Sequence, residues 1–327
     1  MKKLNKILLV IMTISLLLLA GCRNKSDSVK IGWLTAVSTQ GQVAEVLKNT
    51  DILEQNGLTG EFLSFSYAPP LNEVANSEGI DVLFEADLPA LSLISKNDNY
   101  FIAGRLSDFT IAIIVPYDSD IKDVKDLKGK KIGIPFGATA HYVALKMIED
   151  GGLDPNKDVE QINLDIAEQN ALVSSGWGEM DALVSVYPLV SIFETNKQAK
   201  VLETRPGMML IVMSKSLERK KAKAFVKSVM ESYEYYSKNT ERANQWYIDD
   251  VRIKYNPKFL DAAANFENNT KVKSAKEVDL TLDQSRINDI KIGANFAKSY
   301  GLLKNVPDVN SIIDQSLVKE VQRELSR

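Results

Sequence analysis

Residues 126–142 read Asp126-Leu127-Lys128-Gly129-Lys130-Lys131-Ile132-Gly133-Ile134-Pro135-Phe136-Gly137-Ala138-Thr139-Ala140-His141-Tyr142. A strand is expected to end at Pro135, and a turn containing Gly137 then feeds a helix beginning near Thr139. The first amides of a helix have no partner within it, and its dipole places about half a positive charge there. A sulfonate, phosphate or carboxylate fits such a terminus without any basic side chain. The Thr139 hydroxyl either caps the helix or donates to the anion. The amide of His141 is a further donor candidate, and a charged imidazolium is disfavoured at that end of the dipole.

Outward from this stretch, strands and helices alternate. Strands are expected at 29–34, 60–67, 80–84, 100–106, 110–115, 131–135, 159–164, 181–186 and 208–213. Helices are expected at 42–48 with a start near Ser38 or Thr39, from Pro69-Pro70 to 77, and at 88–95, 139–150, 167–175 and 188–196. Asp87 and Pro89 open the helix at 88–95. This alternation implies βαβ units and a largely parallel sheet, an α/β fold. Beyond residue 214 the pattern is helical, at 217–238, 241–250, 257–265 and 284–300, so the tail is expected to pack back on the first half. The polar stretch 268–276 reads as a loose surface loop.

The chain has 327 residues and one cysteine, Cys22, directly after Leu19-Ala20-Gly21. Lys2, Lys3 and Lys6 precede an apolar run at 7–19, the pattern of a secretory signal peptide at 1–21. The run is too short to span a bilayer core of roughly 30 Å. Leu-Ala-Gly-Cys resembles the bacterial lipobox, in which the thiol receives a lipid and the chain is cut before the cysteine. That implies a tether at 22–28 and a lipid anchor worth about 0.8 kcal/mol per buried methylene. The rival is an ordinary signal peptide with an incidental cysteine.

Hydrophobic residues make up 45% and charged residues 25%, ordinary for a globular protein. Net charge is −3, and losing three lysines with the leader makes it more negative, which argues against nucleic acid as a partner. With Cys22 used as an anchor, neither a disulfide nor a thiolate metal site is expected. The single histidine, His141, weakens a His-rich metal site; an all-carboxylate site stays open. No cofactor is expected. There is no Cys–His pair, Gly-x-Ser-x-Gly or phosphate-binding Gly-x4-Gly-Lys-Ser/Thr motif, so an enzyme is not expected.

The stretch 126–142 resembles the binding proteins of importers for aliphatic sulfonates, taurine, nitrate and thiamine precursors. Gly178-Glu179-Met180-Asp181-Ala182 with Val186-Tyr187-Pro188, and Asp81-Val82-Leu83 with Leu88-Pro89-Ala90, are similar to further signatures of that family. The tail from Gly301-Leu302-Leu303 through Ile312-Ile313-Asp314 is similar too, so the likeness runs from about residue 29 to 320. It implies two α/β lobes with a ligand cleft between them: residues 29–115 with 208–327 in one, 116–207 in the other. The chain would leave the first lobe near Val115 and return near Met208. The thiamine-precursor branch includes synthases with a cysteine-rich iron motif, which this chain lacks.

Parallel sheets bind ligands beyond the carboxyl ends of their strands, so Trp33, Phe84, Pro135 and Val186 should rim one cleft. Candidate contacts are then Trp33, Thr35, Glu85, Asp87, Thr139, Ala140, His141, Trp177 and Tyr187. Phe84-Glu85-Ala86-Asp87 departs from the small, uncharged turn usual in sulfonate binders. Two carboxylates there would attract a cationic group, unless Asp87 only caps its helix and Glu85 points to solvent. Trp33, Trp177 and Tyr187 are either aromatic walls or core. Arg105 and Arg205, near the crossings, are either carboxylate clamps or solvated surface. The resemblance implies capture of a small polar or zwitterionic solute and its delivery to an ABC permease and its ATPase, on the outer face of the membrane. A ligand-sensing receptor domain, signalling through a membrane partner without import, fits the same fold. A lipid-anchored hydrolase is a third reading.

Overall fold

The structure, a computed structural model, describes residues 27–252 and 256–327. Cys22 and the leader lie outside the described residues. The expected alternation is present. β1 (Ser28–Leu34), α1 (Ser38–Asn49), α2 (Ile52–Gln55), β2 (Thr59–Phe65), α3 (Ala68–Ser77), β3 (Val82–Ala86) and α4 (Asp87–Lys96) lead into a long strand, β4 (Tyr100–Pro116). β5 (Lys131–Ile134), α5 (Thr139–Asp150), β6 (Glu160–Asn163), α6 (Ile166–Ser174), β7 (Ala182–Val186) and α7 (Leu189–Thr195) follow, and a second long strand, β8 (Ala199–Ser214), returns. The tail holds α8 (Arg219–Lys238), α9 (Thr240–Val251), α10 (Pro257–Ala264), α11 (Gln284–Ser299) and α12 (Ser316–Leu325).

The strand order is β2-β1-β3-β8-β4-β7-β5-β6. Two parallel sets, β2-β1-β3 and β7-β5-β6, flank an antiparallel pair that runs through the middle. β3 pairs with residues 209–213 of β8, whereas β7 pairs with residues 111–114 of β4. The two strands expected at 100–106 and 110–115 are therefore one, and it belongs to both halves of the sheet. β8 begins at Ala199, ahead of the expected 208, because its first half alternates half-buried and exposed residues and carries little apolar signal. Register shifts at Ile102/Gly104 and Arg105/Ser107 bend β4 where it passes from one half to the other.

The tail packs on the first half. α8 buries Phe225, Val226, Val229, Met230, Tyr233 and Tyr236, a stripe at helical spacing. Each large apolar side chain so buried contributes roughly 1.5–3 kcal/mol. The Tyr233 hydroxyl donates to the Leu106 carbonyl at 2.8 Å. Gly104 lets the segment before α11 reach β4: a Cβ there would sit 2.5 Å from the Leu280 carbonyl oxygen. The stretch 268–276 is not a loose loop. It forms short 3-10 turns, and Asn269, Thr270 and Ala275 are buried. Among the described residues no helix is long and apolar enough to cross a membrane.

Candidate functional site

Because β1, β2, β3, β5 and β7 point their carboxyl ends at one gap, that gap is lined by the residues that end or follow them: Leu34, Ser66, Ala86, Pro135 and Val186. Phe109 and Met209 of the crossing strands form its floor, and Ala138, Thr139 and Ala140 bring in the start of α5. The cavity holds about 50 Å³ and has no charged side chain in its lining. A single water needs only about 10–15 Å³ on this measure, so the space holds a few waters or a small polar group.

Thr139 does not cap α5. Its hydroxyl reaches across to the opposite half and donates to Asp87 Oδ1 at 2.5 Å, and it lies 3.2 Å from the Leu88 amide, which also donates to Asp87 Oδ1 at 2.7 Å. Asp87 Oδ2 accepts from the Tyr142 hydroxyl at 2.7 Å. The carboxylate is thus shared between its own helix and α5. Burial raises its pKa and these three donors oppose the rise. Burial and the adjacent Asp87 hold the Tyr142 hydroxyl well above its ordinary value.

Glu85 is fully buried, and neither carboxyl oxygen has a hydrogen-bond partner. Burial pushes its pKa to about 8, and the Asn72 amide beside it opposes the rise. At neutral pH it is chiefly the neutral acid, whose proton can serve the equally unpartnered Oδ1 of Asn72. Neither Glu85 nor Asp87 lines the strand-end cavity, so the expected acidic wall is not formed there.

The other expected contacts divide. Thr139 and Ala140 line the cavity. Thr35 is held by backbone: its amide donates to Phe65 and its carbonyl accepts from the Tyr247 hydroxyl. Trp33 is core, 6.5 Å from the Tyr247 ring. Tyr187 turns edge-on to Phe266 of the tail at 5.1 Å. The His141 amide is committed to the Ala138 carbonyl. Its ring stacks on Phe136, with Nδ1 accepting from the Gly137 amide and Nε2 facing Gln161 Oε1, an arrangement that calls for a proton on Nε2. Burial lowers its pKa, so the ring stays neutral. Trp177 lies elsewhere, beside Tyr117 and Lys197 at the far ends of β4 and β8, with its indole N–H donating to the Gln198 carbonyl. Arg105 is no ligand clamp: its guanidinium is 5% exposed and is held by Glu267 and the Asp279 carbonyl. Arg205 pairs with Glu203.

Of the strand ends expected on the rim, Pro135 and Val186 line the cavity and Trp33 and Phe84 do not; Leu34 and Ala36, which flank Thr35, and Ala86, between Glu85 and Asp87, line it in place of the expected contacts beside them. Successive side chains of a strand point to opposite faces, so a one-residue difference exchanges cavity for core.

A second cavity of about 610 Å³ lies on the other side of the Asp87–Thr139–Tyr142 cluster. Asp87, Asp108, Tyr142, Lys146, Arg286 and Phe296 line it together with residues 205–208 of β8. Asp108 and Arg286 form a two-pronged ion pair at 2.5 and 2.8 Å along its wall.

Residues 101–243 match the family model described as NMT1/THI5 like. A protein of Haemophilus influenzae named for thiamine biosynthesis is 22% identical over 254 residues, which span 73% of this chain and 76% of that protein. The taurine-binding periplasmic protein of Escherichia coli is 27% identical over 223 residues, 63% of this chain and 67% of its own length. The solved alkanesulfonate-binding protein SsuA of Xanthomonas axonopodis pv. citri, bound to MOPS, is similar with a TM-score of 0.72 at 18% identity, covering 88% of this chain and 98% of that one. The chain has the periplasmic binding protein fold, and its segment 101–243 is NMT1/THI5-like.

Proposed function

We propose that this is an extracytoplasmic solute-binding lipoprotein that captures a small polar or zwitterionic solute between two lobes and delivers it to an ABC permease and its ATPase. The observation that carries the reading is the cavity where five strand ends meet the start of α5. The unpaired amides of Thr139 and Ala140 are suited to an acidic group, and the apolar walls to a short carbon body. Taurine-like and thiamine-precursor-like solutes are both of the right kind, in keeping with what the relatives are named for. The lobes are residues 29–115 with 208–327, and 116–207. The outgoing boundary is best drawn within β4, since residues 111–114 already pair with β7. Cys22 carries the lipid that keeps the protein at the outer face of the membrane. The protein holds its solute without altering it.

Thermal unfolding of the mature protein with taurine, an alkanesulfonate or an aminopyrimidine thiamine precursor tests the reading. At 100 times its dissociation constant a true ligand adds about 2.7 kcal/mol of stability, and it should be recovered chemically unchanged. Ala140→Val, which fills the cavity, should weaken that ligand at least about tenfold, since overpacking costs roughly 1–3 kcal/mol. No shift with any of the three solutes, or a shift that Ala140→Val leaves intact, would refute the proposal.

A further inference from the structure

The cavity of about 610 Å³ presents charges of both signs, Lys146, Arg205 and Arg286 against Asp87, Asp108, Asp283 and Asp289, and selects no ligand chemistry by itself. The cluster that walls it off from the strand-end cavity is more specific. Asp87 stands at the start of α4, which follows β3; Thr139 and Tyr142 stand in the first turn of α5, which follows β5. No backbone pairing joins β3 to β5. The side-chain bonds from Thr139 and Tyr142 therefore tie the two halves of the molecule directly to each other.

Both donors converge on a carboxylate that is 6% exposed, and Thr139 is also a cavity-lining residue. The Tyr142 hydroxyl is held from behind by the tail. A Cβ on Gly293 of α11 would lie 2.9 Å from that oxygen, so only glycine leaves the ring where Asp87 can reach it. Asp87, outside the strand-end cavity, takes up the Thr139 hydroxyl that an acidic solute inside it would otherwise use.

We propose that Asp87, Thr139 and Tyr142 form a latch that holds the two lobes together in the absence of solute, and that an entering solute must displace Asp87 from Thr139. The second half of this statement rests on the solute-capture reading above; the first half does not. The latch sets the open–closed balance that solute binding shifts, so part of the binding free energy is used to release it.

The test needs no ligand. Spin labels on Glu61→Cys and Glu160→Cys, exposed positions on the outer strands β2 and β6, report the distance between lobes when Cys22→Ser removes the native thiol. Tyr142→Phe and Thr139→Val each lose one hydrogen bond to the Asp87 carboxyl group, so each should raise the open-to-closed ratio on the order of tenfold, and the double variant more. Gly293→Ala, which leaves every latch group in place but crowds Tyr142, should shift the ratio the same way. Asp87→Ala alone is not decisive because it also removes an acceptor from the Leu88 amide; circular dichroism checks that α4 survives. An unchanged distance distribution in the Tyr142→Phe/Thr139→Val protein would overturn the latch. Opening of that protein together with absence of any solute-induced thermal shift in the wild-type protein would retain the latch and reject solute capture, which separates the two ideas.

Discussion

Two glutamates, Glu85 and Glu267, are both fully buried, and the protein treats them in opposite ways. Glu267 lies where the tail meets the bend of β4. Its Oε1 accepts from Arg105 and from the Asn269 amide, and its Oε2 accepts from Arg105 and from the Asp108 amide. Glu85 lies in β3 with no partner for either oxygen. One carboxyl group is met by four N–H donors; the other has none, and burial pushes its pKa up to about 8, so that at neutral pH it chiefly holds a proton. Burial of a charge is met by pairing or by neutralisation, and the choice decides what each region can do. The saturated cluster at Glu267 staples the tail to the crossing strand. Glu85, without a partner, lies two residues from Asp87, whose three donors come from both halves of the molecule.

The strongest way to break this comparison is Glu267→Ala. It leaves the Arg105 guanidinium buried without its main partner, and loss of one member of a buried pair costs roughly 3–5 kcal/mol. Urea unfolding should show the loss as a lower midpoint; a change below about 1 kcal/mol would mean that the cluster does not staple the tail to β4.

Glu85→Gln tests the other side. The folded-state pKa of about 8 stands above the ordinary 4.5, so the folded chain retains a proton that the unfolded chain loses. Stability from this group is complete below about pH 4.5, declines as pH rises and is lost above about 8. The Gln variant removes that decline and at pH 8 should be the more stable protein by on the order of 3 kcal/mol. Equal pH dependence of the two proteins, measured by urea titration from pH 5 to 9, would show that Glu85 is charged and partnered after all.

Arg286→Lys sharpens the comparison at its weakest point. Lysine cannot reproduce the two-pronged contact with Asp108, but the pair is partly exposed, so the cost should be only about 0.5–1 kcal/mol. A loss as large as that of Glu267→Ala would extend the saturated cluster to the wall of the larger cavity.

Much of the architecture was legible in the chain. Apolar runs of strand length, proline and glycine punctuation and amphipathic helices place β1, β2, β3, β5, β6, β7 and α8 close to their observed bounds, and α5 at its observed bounds of Thr139–Asp150; β4, read as two strands, is one. Two further stretches escaped. The first half of β8 is mostly half-buried, and α12 is only ten residues long, although Leu317, Val318 and Val321 give it a clear buried face. The stretch 268–276 looked loose by composition, yet the polar residues Asn269 and Thr270 are buried because they serve Glu267 and the backbone around it.

At the site the turns were legible and the side chains were not. Local sequence determined that strands end near residues 34, 86, 135 and 186 and that a helix begins at Thr139, because those are matters of backbone propensity and of residues a few positions apart. Which neighbour faces the cavity depends on pleat and register, and these are set by strands far away in the chain. That Thr139 finds Asp87 rather than its own helix, that Glu85 has no partner while Glu267 has four, and that Arg105 serves the tail rather than a ligand were decided only when the tertiary fold brought groups 50 to 160 residues apart within hydrogen-bond reach.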